Sequence, residues 1–297
     1  MKLLTYNCGL LKFQTCGMTP LFENPPFVRE RYPHLAKALL DSGTDIIVLQ
    51  EIYDVKHIKK LVDDLKSTYP YSYYKNTGKG LRFTNGLMTF SKYPIKNANI
   101  VKHFHVDSVD YFLGSRCMQV VELTTPTGLL QIINLHTSAG LNPEKINRIR
   151  GTQVDQAIDV SQKFLKENNT SNSIMDAAAS IITGDFNAGP EASIENYEIM
   201  LKQGYVDAVK EVLGVDKSKK FFTWDHFNFL NDGGIHEHCV SQRIDHVFYN
   251  TKFKAASIEY FQKEAFIPVK VKNKKGKKQE VNLTLSDHYG VIVELVC

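Results

Sequence analysis

Paired cysteines, long apolar runs and phosphate-cradling glycine loops are all missing from this sequence. Its five cysteines (Cys8, Cys16, Cys117, Cys239, Cys297) are odd in number, far apart and without a Cys-x-x-Cys pair. They form neither a disulfide framework nor a zinc-binding pattern, so reduced thiols in a cytosol-like compartment are expected. No segment approaches the roughly 20 apolar residues of a bilayer-spanning helix. The opening MKLLTYNCGLL is broken at Asn7 and Gly9 before a secretory signal can form, so the chain is expected to start at Met1 and to be cytoplasmic. Membrane association, or delivery by a dedicated secretion system, fits the same features. There is no P-loop motif and no Gly-x-Gly-x-x-Gly after a strand, which leaves nucleotide-cradling folds without support.

What is present suits a folded domain. The 297 residues are 43% hydrophobic and 23% charged, and 14 Tyr with 17 Phe supply more burial than a disordered chain carries. Strands and helices alternate without linker or repeat, which predicts one domain over 1–297, acting as a monomer. Net charge is +4, and the surplus is local. Lys270, Lys272, Lys274, Lys275, Lys277 and Lys278 cluster around Gly276; without those six of the 36 basic residues, 30 face 32 acidic ones. Such a segment reads either as a solvated hairpin tip or as a contact for phosphate-rich surfaces, nucleic acid or anionic lipid.

Along the chain, Lys2–Asn7 predicts a strand, and Glu30–Leu40 a helix with Leu35, Leu39 and Leu40 on one face, stopping at Gly43. A loop rich in Phe and Pro lies between them. Asp45–Gln50 predicts a buried strand and His57–Lys66 a short helix. Tyr71–Tyr74, Gly86–Ser91, Met118–Leu123 and Leu129–Leu135 predict strands, the last two forming a hairpin across Thr127 and Gly128. Ile146–Lys166 and Ile194–Leu201 are helical patterns; Ser180–Thr183, Arg243–Tyr249 and Gly290–Val296 are strands. Two β-rich halves with interleaved helices predict a layered α/β sandwich.

Polar residues at the ends of the apolar strands are the candidate site, because a rigid sheet places its functional groups there. Asn7 ends the first strand, Glu51 follows DIIVLQ, and His136 follows LLQIINL. Asp185 and Asn187 occupy the turn after IIT. Asp245 lies in RIDHVFY, and Asp287 and His288 precede the last strand. Carboxylates and Asn oxygens without a thiolate suit Mg²⁺, with Mn²⁺ or Ca²⁺ also compatible. Two histidines among them can serve as acid and base. The combination points to metal-assisted hydrolysis of a phosphate ester. Taken singly, each residue reads as a turn former, cap or core group; His34, His57, His103, His105, His226, His236, His238 and His246 have no such setting.

The ordered series TYN, LQE, LHTSA, GDFNAGP, RIDHVFY and LSDHYG resembles the endonuclease/exonuclease/phosphatase superfamily, the deoxyribonuclease I-like fold. The resemblance implies a four-layered α/β sandwich with two central mixed β-sheets flanked by helices. It also implies roles. Glu51 would be the principal metal ligand with Asn7 beside it, and Asp287 would be a further ligand. Asp185 and Asn187 would hold the nucleophile and the scissile phosphate. Asp245 would orient the catalytic groups, His288 would activate water, and His136 would stabilise phosphate oxygens or protonate the leaving group.

Within that superfamily the segments are most similar to neutral sphingomyelinases. The run Asn85–Ile95 is similar to their "GL…SK.PI" strand and turn, Arg150 and Gln153 to their Arg-x-x-Gln helix, and Thr223-Trp224-Asp225 with Asn228 to a TWD..N segment holding the single Trp. The phosphoinositide phosphatase segments and the duplex-gripping segments of abasic-site nucleases are not recognisable. The resemblance implies a Mg²⁺-dependent phosphodiesterase with a phospholipid substrate at a membrane surface, nucleic acid being the runner-up. A non-catalytic binding module on the same fold is the remote third. Arg116, where relatives carry a Lys-Gly segment, and Trp224 join His136 and Asn187 as substrate contacts. The apolar residues of the loop Leu10–Phe27 are expected to be buried, with membrane docking as the lesser reading.

Overall fold

A computed structural model describes residues 1–13, 22–78, 84–103, 117–139, 143–169, 177–234, 236, 238–250, 252–272 and 277–297. Two six-stranded sheets lie at its centre. The first runs β13 (Lys254–Phe261), β16 (Gly290–Val296), β1 (Lys2–Asn7), β4 (Ile46–Gln50), β6 (Met88–Ser91), β5 (Tyr71–Tyr74). The second runs β11 (Val206–Asp207), β12 (Asp245–Tyr249), β10 (Ala179–Asp185), β9 (Gly128–His136), β8 (Cys117–Thr125), β7 (Ile95–Lys102). Each sheet is mixed, with one parallel pair (β1 with β4, β9 with β10) among antiparallel neighbours.

The apolar strands are continuous runs because both of their faces are covered. In β4, Ile46 and Val48 point into the core between the sheets, while Ile47 and Leu49 point into a second core beneath the helices Val28–Asp41 and Val55–Leu65. In β10, Ile181 joins the central core and Ile182 a third core, shared with the helices Pro143–Asn168 and Ile194–Lys202. Three apolar layers separate four layers of structure, which is the α/β sandwich expected from the sequence. Each fully buried Ile, Leu or Val contributes about 1.5–3 kcal/mol. Gly184 (φ 132°) permits the close approach of β10 to β9: a Cβ there would sit 2.0 Å from the Leu135 carbonyl oxygen.

Some elements depart from the sequence reading. The strand expected from Arg243 begins at Asp245. The Phe/Pro-rich loop contains a small hairpin, β2 (Leu11–Phe13) with β3 (Phe22–Asn24). Its Leu10 is buried and Phe27 packs on the core, whereas Phe22 is half exposed, so the described apolar side chains of this loop are mostly covered. β7, β13, the hairpin β14 (Ile267–Lys272) with β15 (Lys278–Leu283), and the helix Ala208–Ser218 carry no long apolar signature. Their outer faces are polar and partly exposed, so the pattern that marks buried strands is absent. No helix among the described residues is long and apolar enough to cross a membrane.

Candidate active site

The strand register brings the polar ends together. β1 and β4 run parallel with Asn7 beside Gln50, so Glu51 emerges just past Asn7. Across β9, β10 and β12, His136, Asp185 and Asp245 stand side by side. Asp287 and His288 arrive immediately before β16.

Asn7 Nδ2 donates to Asp185 Oδ2 at 2.9 Å and to Glu51 Oε1 at 3.3 Å, while its Oδ1 accepts the Gly9 N–H at 3.0 Å. His136 Nε2 lies 3.5 Å and 3.6 Å from the same two carboxylate oxygens. The other Asp185 oxygen accepts the Asn187 N–H at 2.8 Å, and Asn187 Nδ2 donates to the Thr137 carbonyl. His288 Nδ1 is 2.8 Å from Asp245 Oδ2, and its Nε2 lies 3.9 Å from Asp185 Oδ2. Both Glu51 (φ 59°) and Asn187 (φ 46°) hold left-handed backbone, an uncommon conformation that concentrates at functional sites. Gly9 (φ 54°) lets its loop approach Asp287, whose Oδ1 would be 2.5 Å from a Cβ at that position.

The electrostatics follow from burial and crowding. Burial, with Asp245 close by, pushes the Asp185 carboxyl up to about 6, although His288 and the Asn187 and Asn7 hydrogen bonds oppose this. Burial alone would lower the His288 imidazole; the carboxylates of Asp245, Asp287 and Asp185 outweigh it and hold the ring well above its ordinary value. Asp245 is fully buried, with one carboxylate oxygen lacking a hydrogen-bond partner among the described residues. One ligand atom from each of Asp185, Asp245 and His288 lies within 4.8 Å of the others, close enough to hold a divalent cation.

A cleft of about 440 Å³ opens here, lined by Glu51, His136, Asp185, Asn187, Trp224, Asp287 and His288. Asn7 and Asp245 stand behind that lining. Arg116 lies outside the described residues. The Trp224 segment straps the site: Trp224 bridges to Gln242 and His288, and Thr223 Oγ1 accepts the backbone N–H groups of Ile244 and Asp245 at 3.0 Å each. Asn228 Nδ2 donates to the Ser286 carbonyl at 3.0 Å. The long helix supports His136 from the other side, with Arg150 Nε donating to the Ser138 carbonyl at 2.7 Å and Gln153 Oε1 accepting the Ser138 N–H.

Arg31 belongs to none of the sequence motifs. Its guanidinium is fully buried and donates to the carbonyls of Cys8, Gly9, Pro25, Pro26 and Leu285, tying together the segments that carry Asn7 and Asp287. The one signal for it is its place on the buried stripe of its helix, with Val28, Leu35 and Ala38. Tyr53, His236 and Cys239 also line the cleft without any pattern that singles them out.

Residues 4–288 match the endonuclease/exonuclease/phosphatase family. The chain belongs to the endonuclease/exonuclease/phosphatase family. Its curated relatives include a Drosophila melanogaster protein named "Putative neutral sphingomyelinase", 24% identical over 228 residues, which are 74% of this chain and 47% of that protein. The chain thus spans about half the length of this relative. Solved structures of the same fold include sphingomyelinase C from Streptomyces griseocarneus (TM-score 0.73, 21% identity, 98% of each chain). A magnesium-bound beta toxin variant from Staphylococcus aureus superposes with a TM-score of 0.67 at 17% identity over 98% of each chain. Truncated Caenorhabditis elegans TDP2 gives 0.66 at 18% identity, covering 100% of this chain and 97% of that one. Family membership and these structures give the chain the deoxyribonuclease I-like fold.

Proposed function

We propose that this family member is a Mg²⁺-dependent phosphodiesterase that cleaves a phospholipid headgroup, converting sphingomyelin to ceramide and phosphocholine within the single domain 1–297. The observation that carries the reading is the buried Asp245–His288 pair, 2.8 Å apart, aimed into the cleft at Asp185. The sphingomyelinase names among the relatives support the lipid substrate, and the magnesium-bound beta toxin supports the ion.

The residues fit a hard divalent cation. Glu51 and Asp287 offer carboxylate oxygens to the cleft, and burial together with the nearby Asp245 carboxylate raises the Asp185 pKa to about 6; Asn7 would join the donors by turning its amide, whose nitrogen faces Glu51 and Asp185. Asp185, Asp245 and His288 form a second possible donor set. We favour the first, because a cation held by His288 Nε2 would occupy the nitrogen that faces Asp185 and that this reading uses as the base. When bound, the ion offsets charge growing on the phosphoryl oxygens and the carboxylate charge that keeps the His288 ring protonated.

In this reading His288 Nε2 takes the proton of the attacking water, while Asp245 fixes the ring through Nδ1. Asp185, held by Asn7 and the Asn187 N–H, orients that water. Asn187 and His136 meet the phosphoryl oxygens, His136 also protonates the leaving oxygen, and Trp224 and Arg116 add substrate contacts. The experiment is product release from purified protein with Mg²⁺, offered sphingomyelin vesicles and plasmid DNA in parallel, with Glu51→Ala as control. Metal-dependent phosphocholine release that the variant lacks is expected; DNA nicking without phosphocholine release would overturn the lipid assignment.

A further inference from the structure

The hairpin β14–β15 belongs to neither large sheet; its strands pair with each other, from Ile267 opposite Leu283 to Lys272 opposite Lys278. Directly opposed residues share a face. One face, with Val269, Val271 and Val281, packs on the core beneath the helix Val28–Asp41. The other presents Lys270, Lys272 and Lys278 to solvent. None of these three lysines forms an ion pair among the described residues, although Glu280 stands opposite Lys270. Lys272 and Lys278 are themselves opposed, a like-charge arrangement that weakens a ladder unless something anionic covers it.

We infer that this lysine face is a docking surface for anionic phospholipid, which seats the cleft on the membrane. Six of the 36 basic residues fall within 270–278 and the remaining 30 face 32 acidic ones, so this stretch of the sequence carries the net positive surplus that an anionic surface attracts. Phe266, 43% exposed at the base of the same hairpin, adds an apolar group suited to the headgroup boundary. From Leu283 the chain runs through buried Thr284, Leu285 and Ser286 directly to Asp287 and His288, so a seated hairpin fixes the position of the site. No aromatic side chain lies along β14 or β15 for bases to stack on, which favours lipid over single-stranded nucleic acid. The choice of lipid rests on the phospholipid reading proposed above.

The test uses the catalytically silenced Glu51→Ala protein, so that binding is read without turnover. Sedimentation with vesicles of phosphatidylcholine and sphingomyelin is compared with and without phosphatidylserine. The comparison is repeated for a Lys270→Gln/Lys272→Gln/Lys278→Gln variant and for the matching Lys→Arg variant. Each lysine near an anionic surface strengthens binding about fivefold, so the Gln variant should bind serine-lipid vesicles on the order of 10²-fold more weakly, and the Arg variant normally. In the catalytically intact background, the Gln variant should turn over sphingomyelin in neutral detergent micelles at the parent rate. Equal vesicle binding by parent and Gln variant would overturn the proposal. So would lysine-dependent binding to duplex DNA in preference to serine-lipid vesicles. Lysine-dependent vesicle binding without any sphingomyelin hydrolysis would leave the docking face standing and remove the catalytic reading alone.

Discussion

Asp245 and His246 are neighbours on opposite faces of β12, and each belongs to a buried cluster of aspartate and histidine. On one face, Arg243 Nη1 bonds both oxygens of Asp207 at 2.9 and 2.7 Å, and Tyr197 donates to the same carboxylate at 2.6 Å. His246 completes that cluster, its Nε2–H donating to the Ala188 carbonyl at 2.8 Å and its Nδ1 facing Arg243. Burial, then the Arg243 charge, push its imidazole down to about 4, so the ring is neutral. Burial would raise Asp207, but Arg243 outweighs that and holds it low. Charge balances and no group of the cluster lines the cleft. On the other face, Asp185, Asp245, Asp287 and His288 carry more negative than positive charge, and three of the four open onto the cleft. The same residue types therefore make a structural rivet where charge is matched and a reactive site where it is left unmatched beside an opening.

The comparison breaks most visibly if the open cluster is disarmed. His288→Ala should lower kcat for phosphocholine release by about 10²–10⁴-fold, with an unchanged circular dichroism spectrum and melting temperature within a few degrees. Arg243→Met should do the reverse. It leaves Asp207 buried and unpaired, costing about 3–5 kcal/mol in urea unfolding, while the protein that remains folded keeps its kcat. A third effect sharpens the contrast through pH. The unfolded chain takes up a proton on His246 near 6.5, whereas the folded chain resists until about 4. Stability should therefore be full above about 6.5 and fall by about 3 kcal/mol as pH drops to about 4; His246→Gln should flatten that part of the profile relative to the parent. The smallest effect concerns the residue that joins both faces. Thr223→Val leaves the Ile244 and Asp245 N–H groups without their acceptor and should cost about 1–3 kcal/mol, with Thr223→Ser close to the parent.

How much of this is legible in the sequence follows from the same physics. Strands covered on both faces, such as Ile46–Gln50 and Ala179–Asp185, announce themselves as apolar runs, and the polar residue that ends each run marks the site edge. Chain order alone therefore points to Asn7, Glu51, His136, Asp185 and Asp287–His288, and the ordered motifs supply Asp245 inside its strand. Strands with one wet face, β7 and β13, lack that signature. Arg31 stays hidden because its partners are five backbone carbonyls, which no side-chain pattern reveals. The distinction between His246 and His288 is visible only through the chain order of the motifs, since charge balance depends on Asp207, distant in sequence.

The most direct test of the central claim compares Asp245→Asn with Asp207→Asn, measuring phosphocholine release with Mg²⁺ and urea unfolding on both. Asp245→Asn should abolish turnover and keep the parent's stability to within about 1–2 kcal/mol, the scale of one hydrogen bond. Asp207→Asn should lose several times that stability, while its folded fraction turns over at the parent rate. Turnover retained by Asp245→Asn, or lost by folded Asp207→Asn, would contradict the central claim.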